Sequence, residues 1–205
     1  MNRNKKFIYL ISPQHIIENK FYGDLNQIFK TGKIAFFQLR LKKVSEKKII
    51  SIGKRVNKVC KKYNVKFIIN DRPTLVKKIG ADGCHIGQND MNFSKARKII
   101  NKNILGVTCH NSIKLVKQAL AQKADYIAIG SFFNSNTKKI KFRTSLRFLG
   151  LIKKISNIPI VVIGGINEKN YKKLLLHNAD FLAMSGYIWE NKKLNPVKAV
   201  KNMKI

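Results

Sequence analysis

Residues Gly80–Met91 read GADGCHIGQNDM, and an Ala-Asp pair, Ala81-Asp82, stands there just ahead of an apolar run. The same pair recurs ahead of an apolar run at Ala124-Asp125 and at Ala179-Asp180, each time after a stretch with helical spacing. Such self-similarity marks a stacked supersecondary repeat. Outward from these copies the chain offers eight short apolar runs: Phe7–Ile11, Ile34–Leu39, Phe67–Ile69, Cys84–Ile86, Ile104–Val107, Tyr126–Ile129, Ile160–Ile163 and Phe181–Met184. They lack strict alternation, as strands buried on both faces do.

The segments between them read as helices. From Ser45 to Tyr63, the residues Ile49, Ile52, Val56 and Val59 share a face. Ser112 is placed to cap a helix carrying Leu115, Val116, Ala119 and Leu120. Glu168 to His177 carries Tyr171, Leu174 and Leu175, and a last helix near Pro196–Met203 closes the ring. Alternating strands and helices predict a parallel sheet, and eight units predict a closed α/β architecture, the (β/α)8 TIM barrel. No linker or low-complexity block divides the chain, so residues 1–205 are expected to form one domain with its site at the C-terminal strand ends. At 205 residues the barrel must have lean loops.

The formal net charge is +32, from 42 Lys and Arg against 10 Asp and Glu. The basic residues are scattered in pairs, among them Lys5-Lys6, Lys42-Lys43 and Lys172-Lys173. That scatter argues against a nucleic-acid surface, while the positive potential favours anionic substrates. Three cysteines with no paired spacing, and no run long enough to span a bilayer, point to a cytoplasmic protein with no membrane partner.

Candidate site residues lie just past the runs. After the second, Gln38, Arg40 and Lys42 alternate onto one side, a set suited to a phosphorylated ligand. Asn70-Asp71 comes after the third run and Asp90 lies beyond the fourth. Singly, each Asp suits a helix cap, Asp71 for a helix begun at Pro73 and Asp90 for the helix after Met91. As a pair opposite Arg40 and Lys42, they suit a divalent cation on a pyrophosphate. Thr108 could give a substrate its hydroxyl. Cys109 and His110 are strand neighbours, so alternation sends them to opposite faces and argues against a nucleophile pair. The stretch Gly130–Lys139 is long and polar, suited to closing over an anion. Gly164-Gly165 after the seventh run and Ser185-Gly186 after the eighth would let backbone amides approach a phosphate, where such barrels often bind one. No P-loop or zinc spacing is found.

In order, these pieces resemble the thiamine phosphate synthase family: QLRLK at Gln38–Lys42, INDRP at Ile69–Pro73, GADGCHIGQNDM, GVTCHNS at Gly106–Ser112, GSFFNSNTKK at Gly130–Lys139, IGGI at Ile163–Ile166 and ADFLAMSG at Ala179–Gly186. The resemblance implies an enzyme, a transferase joining an aminopyrimidine methyl pyrophosphate to a thiazole phosphate with release of pyrophosphate. It implies Mg2+ on Asp71 and Asp90. It gives Gln38, Arg40, Lys42, Asn70, Thr108 and Lys138 to the pyrimidine pyrophosphate, with Arg40, Lys42 and Lys138 catalytic. Ser135, Thr137, Gly165, Ser185 and Gly186 go to the thiazole phosphate. A homo-oligomer would be in keeping with the family. The chain departs from the family pattern at Leu41, where an acid is common, at Thr108, where Ser is common, at Asn134-Ser135-Asn136, which replaces a proline-containing loop, and at Ser185-Gly186. A sister branch isomerises the thiazole with a histidine near the position of His110 but typically lacks the Asp pair. A basic barrel that binds nucleic acid without catalysis is the alternative from another class.

Overall fold

The computed structural model describes residues 7–134 and 141–204. Eight strands form a closed, all-parallel barrel in the order β1 to β8. They are β1 (Ile8–Ile11), β2 (Ile34–Leu39), β3 (Lys66–Asn70), β4 (Gly83–Ile86), β5 (Ile104–His110), β6 (Tyr126–Gly130), β7 (Ile160–Ile163) and β8 (Phe181–Met184). Helices α1 (Glu18–Lys30), α2 (Glu46–Lys62), α3 (Leu75–Ile79), α4 (Phe93–Ile100), α5 (Ile113–Ala121), α6 (Leu146–Ile155) and α7 (Tyr171–Leu176) separate them, and α8 (Gly186–Trp189) and α9 (Pro196–Asn202) come after the last strand. The eight apolar runs are the eight strands, with β2, β7 and β8 at the expected bounds and β5 three residues longer, to His110.

The alternation of strand side chains divides the core in two. Tyr9, Ile11, Ile68, Tyr126, Ala128, Val161 and Ala183 fill the barrel interior, with Phe36, Ile104, Ile163 and Phe181 against them. Their strand neighbours face the helices in a larger cluster that includes Phe37, Leu39, Phe67, Cys84, Val107 and Leu182. Ser45, Asn92, Ser112 and Ser145 cap α2, α4, α5 and α6 by accepting from backbone amides of the first turn.

The repeated Ala-Asp pair acts at the N-terminal face. Each Asp carboxylate accepts from the backbone amide at or next to the start of the preceding strand: Asp82 from Phe67 at 2.8 Å, Asp125 from Leu105 at 2.7 Å and Asp180 from Ile160 at 2.8 Å. A cation backs each one, Lys66, Arg97 or Lys153, at 3.3, 2.6 and 2.8 Å. The preceding alanine is buried and its amide returns to a carbonyl of the helix before it. Three of the chain's ten acids thus pin strand starts far from the C-terminal ends. In a barrel of this kind that face serves stability, and the opposite one carries the chemistry.

Candidate active site

On β2 and beyond, Phe37, Leu39 and Leu41 pack in the outer core. The opposite parity holds Phe36 inside the barrel and leaves Gln38, Arg40 and Lys42 at its mouth, with Gln38 3% exposed. Leu41, which stands where an acid was expected from the resemblance, is therefore core and carries no charge into the site. Ser12, directly after β1, holds this segment. Its hydroxyl accepts from the Arg40 amide at 2.9 Å, and its own amide donates to the Gln38 carbonyl at 2.9 Å. The one signal for Ser12 in the sequence is its place as a polar residue directly after the first apolar run.

Asn70 ends β3 on the interior parity, opposite His85 in the register with β4. The next residue, Asp71, has φ +61°, a left-handed conformation that Asp tolerates better than most side chains. Its amide donates to the His85 carbonyl at 2.8 Å. Neither Asp caps a helix. The N-cap of α3 is Thr74 and that of α4 is Asn92, whose side chain accepts from the Ser94 amide. Asp90 instead folds back to accept from the Gly87 amide at 2.8 Å, an approach that a Cβ at position 87 would obstruct.

The two carboxylates lie within hydrogen-bonding reach of each other. Burial pushes the Asp71 carboxyl up to about 6, the adjacent Asp90 adds to this, and Lys42 and Arg40 oppose it. Lys42 Nζ stands 3.7 Å from Asp71 Oδ2. Two carboxylates held this close repel when both ionise, and a divalent cation between them removes that cost. The donors are hard oxygens, which suit Mg2+ or Ca2+ rather than a soft metal. Among the described residues no group of three His, Cys, Asp or Glu could form a metal cage, so a cation here would need further oxygens from a ligand.

Thr108 sits at the C-terminal end of β5 beside a bulge, where the pairing with β6 skips a residue between Thr108 and His110. The bulge re-aims the strand end. Cys109 turns into the core, where burial pushes its thiol up to about 12, and His110 stacks on Phe142 at 4.3 Å. The Thr108 hydroxyl meets His85 Nε2 at 2.8 Å, His85 Nδ1 meets the Tyr126 hydroxyl at 2.9 Å, and Tyr126 meets the Tyr9 hydroxyl at 2.7 Å. Sequence reading had no signal for the two tyrosines beyond their place in apolar runs.

The other side of the mouth is built from backbone. The segment after β6 lies over the end of β7, with the Phe132 amide donating to Ile163 at 3.1 Å and the Phe133 amide to Gly164 at 3.0 Å. Gly164 and Gly165 have φ of +111° and +61°, and a Cβ on either would strike Ser131 or the Asn134 carbonyl. The glycines give this crossing room. Beside it lies a cavity of about 330 Å3 lined by Asn134, Gly165, Asn167, Ser185, Gly186 and Asn191 among others. Ser185 also donates to the Ser12 carbonyl at 3.3 Å, which ties this cavity to the Arg40 segment. Ser135, Thr137 and Lys138 lie outside the described residues.

A family model described as thiamine monophosphate synthase matches residues 8–188. The chain is 56% identical over 201 residues to a thiamine-phosphate synthase of Pelagibacter ubique, covering 98% of this chain and 97% of that protein. It is 36% identical over 194 residues to a thiamine-phosphate synthase of Rhodospirillum centenum, covering 94% and 93%. Among solved structures, a thiamine phosphate pyrophosphorylase from Pyrococcus furiosus superposes with a TM-score of 0.86 at 25% identity, covering 98% of this chain and 95% of that one. With the match spanning the barrel from β1 to α8, the chain belongs to the thiamine monophosphate synthase family.

Proposed function

We propose that this chain is a transferase that makes thiamine phosphate from an aminopyrimidine methyl pyrophosphate and a thiazole phosphate. The observation that carries the reading is the Asp71–Asp90 pair beside Arg40 and Lys42, at the same barrel mouth as a cavity lined by Gly165, Ser185 and Gly186 among others. A pyrophosphate needs the first region and a phosphorylated ring suits the second. Residues 1–205 act as one (β/α)8 domain in this reading. Three free, buried cysteines are in keeping with a cytoplasmic setting. No helix among the described residues is long and apolar enough to cross a membrane.

The bond that breaks joins the pyrimidine methylene carbon to a pyrophosphate oxygen, and the electron pair leaves with that oxygen. The bond that forms uses the lone pair of the thiazole nitrogen on the same carbon. That nitrogen carries no proton, so no general base is required. The protein's work is to hold both rings in line and to neutralise the departing charge. Asp71 and Asp90 would hold Mg2+, which supplies positive charge to the pyrophosphate oxygens. Gln38 and Asn70 face the pyrimidine, while Arg40 and Lys42, with Lys138 as the resemblance implies, take the pyrophosphate. Ser135 and Thr137, with Gly165, Ser185 and Gly186 around the cavity, take the thiazole phosphate. The Asp pair disfavours the isomerase reading, which has no leaving pyrophosphate to neutralise.

The test is incubation with both substrates, with and without Mg2+, reading thiamine phosphate and pyrophosphate together. Equimolar products that disappear with EDTA are expected. Absence of product when both substrates and Mg2+ are present overturns the reading, and tight, steeply salt-dependent RNA binding in its place would revive the nucleic-acid alternative.

A further inference from the structure

Ser12 follows β1 directly and is 2% exposed. The next residue, Pro13, has no amide proton, so the backbone ladder with β2 cannot run past Ser12. The Ser12 amide donates to the Gln38 carbonyl at 2.9 Å. In a regular parallel ladder, a residue making that bond receives the amide two positions further along its neighbour, here Arg40, on its own carbonyl. Ser12 departs from this pattern. The Arg40 amide donates to the Ser12 hydroxyl at 2.9 Å, and the hydroxyl donates back to the Arg40 carbonyl at 3.4 Å. The Ser12 carbonyl is thereby released from the ladder, and it accepts from the Ser185 hydroxyl at 3.3 Å.

The seam between β1 and β8 is also closed by side chains at this end. The register of the two strands stops at Leu10 and Met184. Beyond it, the Trp189 indole N–H donates to the Ile11 carbonyl at 2.7 Å, and Ser185 donates to Ser12. Ile11 also lines the cavity shared by Ser185 and Gly186. Residues 11 and 12 therefore hold the Arg40 segment on one side and the turn into α8 on the other. Side-chain direction follows the backbone in extended chain, so fixing the Gln38 carbonyl and the Arg40 amide fixes where Gln38 and Arg40 point.

We propose that Ser12 is a positioning residue for both halves of the site, its hydroxyl replacing its carbonyl in the β2 ladder so that one residue orients Arg40 and holds Ser185. Which ligands feel this rests on the proposed function; the exchange of hydroxyl for carbonyl does not. Without the hydroxyl, the Arg40 amide has two courses. It loses its acceptor, which is costly for a part-buried donor, or it turns to the Ser12 carbonyl and takes that group from Ser185. The first course disturbs the charged side of the mouth, and the second disturbs both sides together. A substitution at Ser12 is therefore felt by both substrates, unlike one at Lys42 or Gly165.

The test compares Ser12→Ala and Ser12→Thr in the full-length protein. Ser12→Ala should raise the KM of each substrate roughly 5- to 10-fold and lower kcat about tenfold, the scale of one buried hydrogen bond. Ser12→Thr keeps the hydroxyl and should return all three to within about threefold. Asn57→Ala is the control for a structural role, because Asn57 is a buried amide that donates to the Ile79 and Gly80 carbonyls away from the mouth. It should lose melting temperature with both KM values within about twofold. Should Ser12→Ala not fold, Ser12→Cys replaces it, since a thiol is only a weak acceptor, and the same pattern is expected. Unchanged kinetics in a folded Ser12→Ala protein, or a rise in one KM alone, overturns the proposal. Calorimetry with magnesium pyrophosphate gives a second readout without turnover, and Ser12→Ala should bind it about tenfold more weakly. That loss in a protein that makes no thiamine phosphate would support the hold on Arg40 while overturning the reading of the site.

Discussion

The two sides of the barrel mouth are made of different material. From β2 to β5 the site is side chains: Arg40, Lys42, Asp71, Asp90 and Thr108, each on the interior parity or just past a strand end. From β6 to β8 the basic cluster is replaced by two left-handed glycines that accept the crossing of another segment, and by a cavity lined by glycine and serine together with Asn167, Tyr187 and Glu190. The first side is equipped to change the charge state of what it holds, and the second to hold a shape. A reaction in which one partner sheds an anion and the other supplies a lone pair asks for that division. Substitutions confined to one side should therefore leave different kinetic marks from those on the other.

The largest effect is expected on the charged side. Asp71→Asn and Asp90→Asn should each lower Mg2+-dependent kcat/KM by roughly 100-fold or more, since a bound cation is worth several kcal/mol to a departing anion. The same variants remove like-charge repulsion, so in EDTA their melting temperatures should match or exceed that of the unsubstituted protein. Calorimetry with and without Mg2+ separates the two effects. Wild-type turnover in both variants would remove the metal from this site.

On the backbone side the effect should be smaller and differently distributed. Gly165→Ala places a Cβ against the Asn134 carbonyl at a φ of +61°, a conformation that costs an L-residue roughly 1–2 kcal/mol before any clash. The segment after β6 must move. The KM for thiazole phosphate should rise about tenfold, with the KM for the pyrimidine substrate within about twofold. Equal rises in both would mean that the two sides are not separable. Lys42→Ala should cost less again. Its contact with Asp71 is 3.7 Å long and its side chain is 55% exposed. The loss in kcat/KM should be roughly 3- to 10-fold at low salt and shrink as salt is added, as for other exposed charges.

The same division governs what the sequence could reveal. The barrel was legible because both-face burial leaves continuous apolar runs, and the repeated Ala-Asp pair marks where three of those runs begin. Arg40, Lys42, Asp71 and Asp90 were legible because charge at a strand end is visible in the letters. Competing roles could not be separated there. Capping by Asp71 or Asp90 competes with metal binding on the letters alone, and only the fold puts Thr74 and Asn92 at those N-caps. The bulge after Thr108 was not legible, because a bulge is a property of two paired strands. Tyr9 and Tyr126 read as core, because their hydroxyls meet only when residues 117 positions apart are folded into a ring. Ser12 is a single hydroxyl whose role depends on the backbone of another strand.

The smallest effect is expected where the two sides meet, at the end of β5. Cys109 and His110 are adjacent there and invite a nucleophile reading. The fold separates them: Cys109 is wholly buried in the outer core, and burial pushes its thiol up to about 12. A thiol in that range is almost entirely protonated near pH 8, and only the thiolate attacks. Native protein should therefore react slowly with a disulfide reagent at about pH 8 and yield all three thiols only in denaturant, since Cys60 and Cys84 are buried as well. Cys109→Ala should leave kcat within about twofold, because the proposed transfer needs no covalent intermediate on sulfur, while the small cavity lowers stability by about 1 kcal/mol. A large loss of kcat without loss of fold would bring the thiol back into the chemistry and erase the boundary between the charged side and the shaped one.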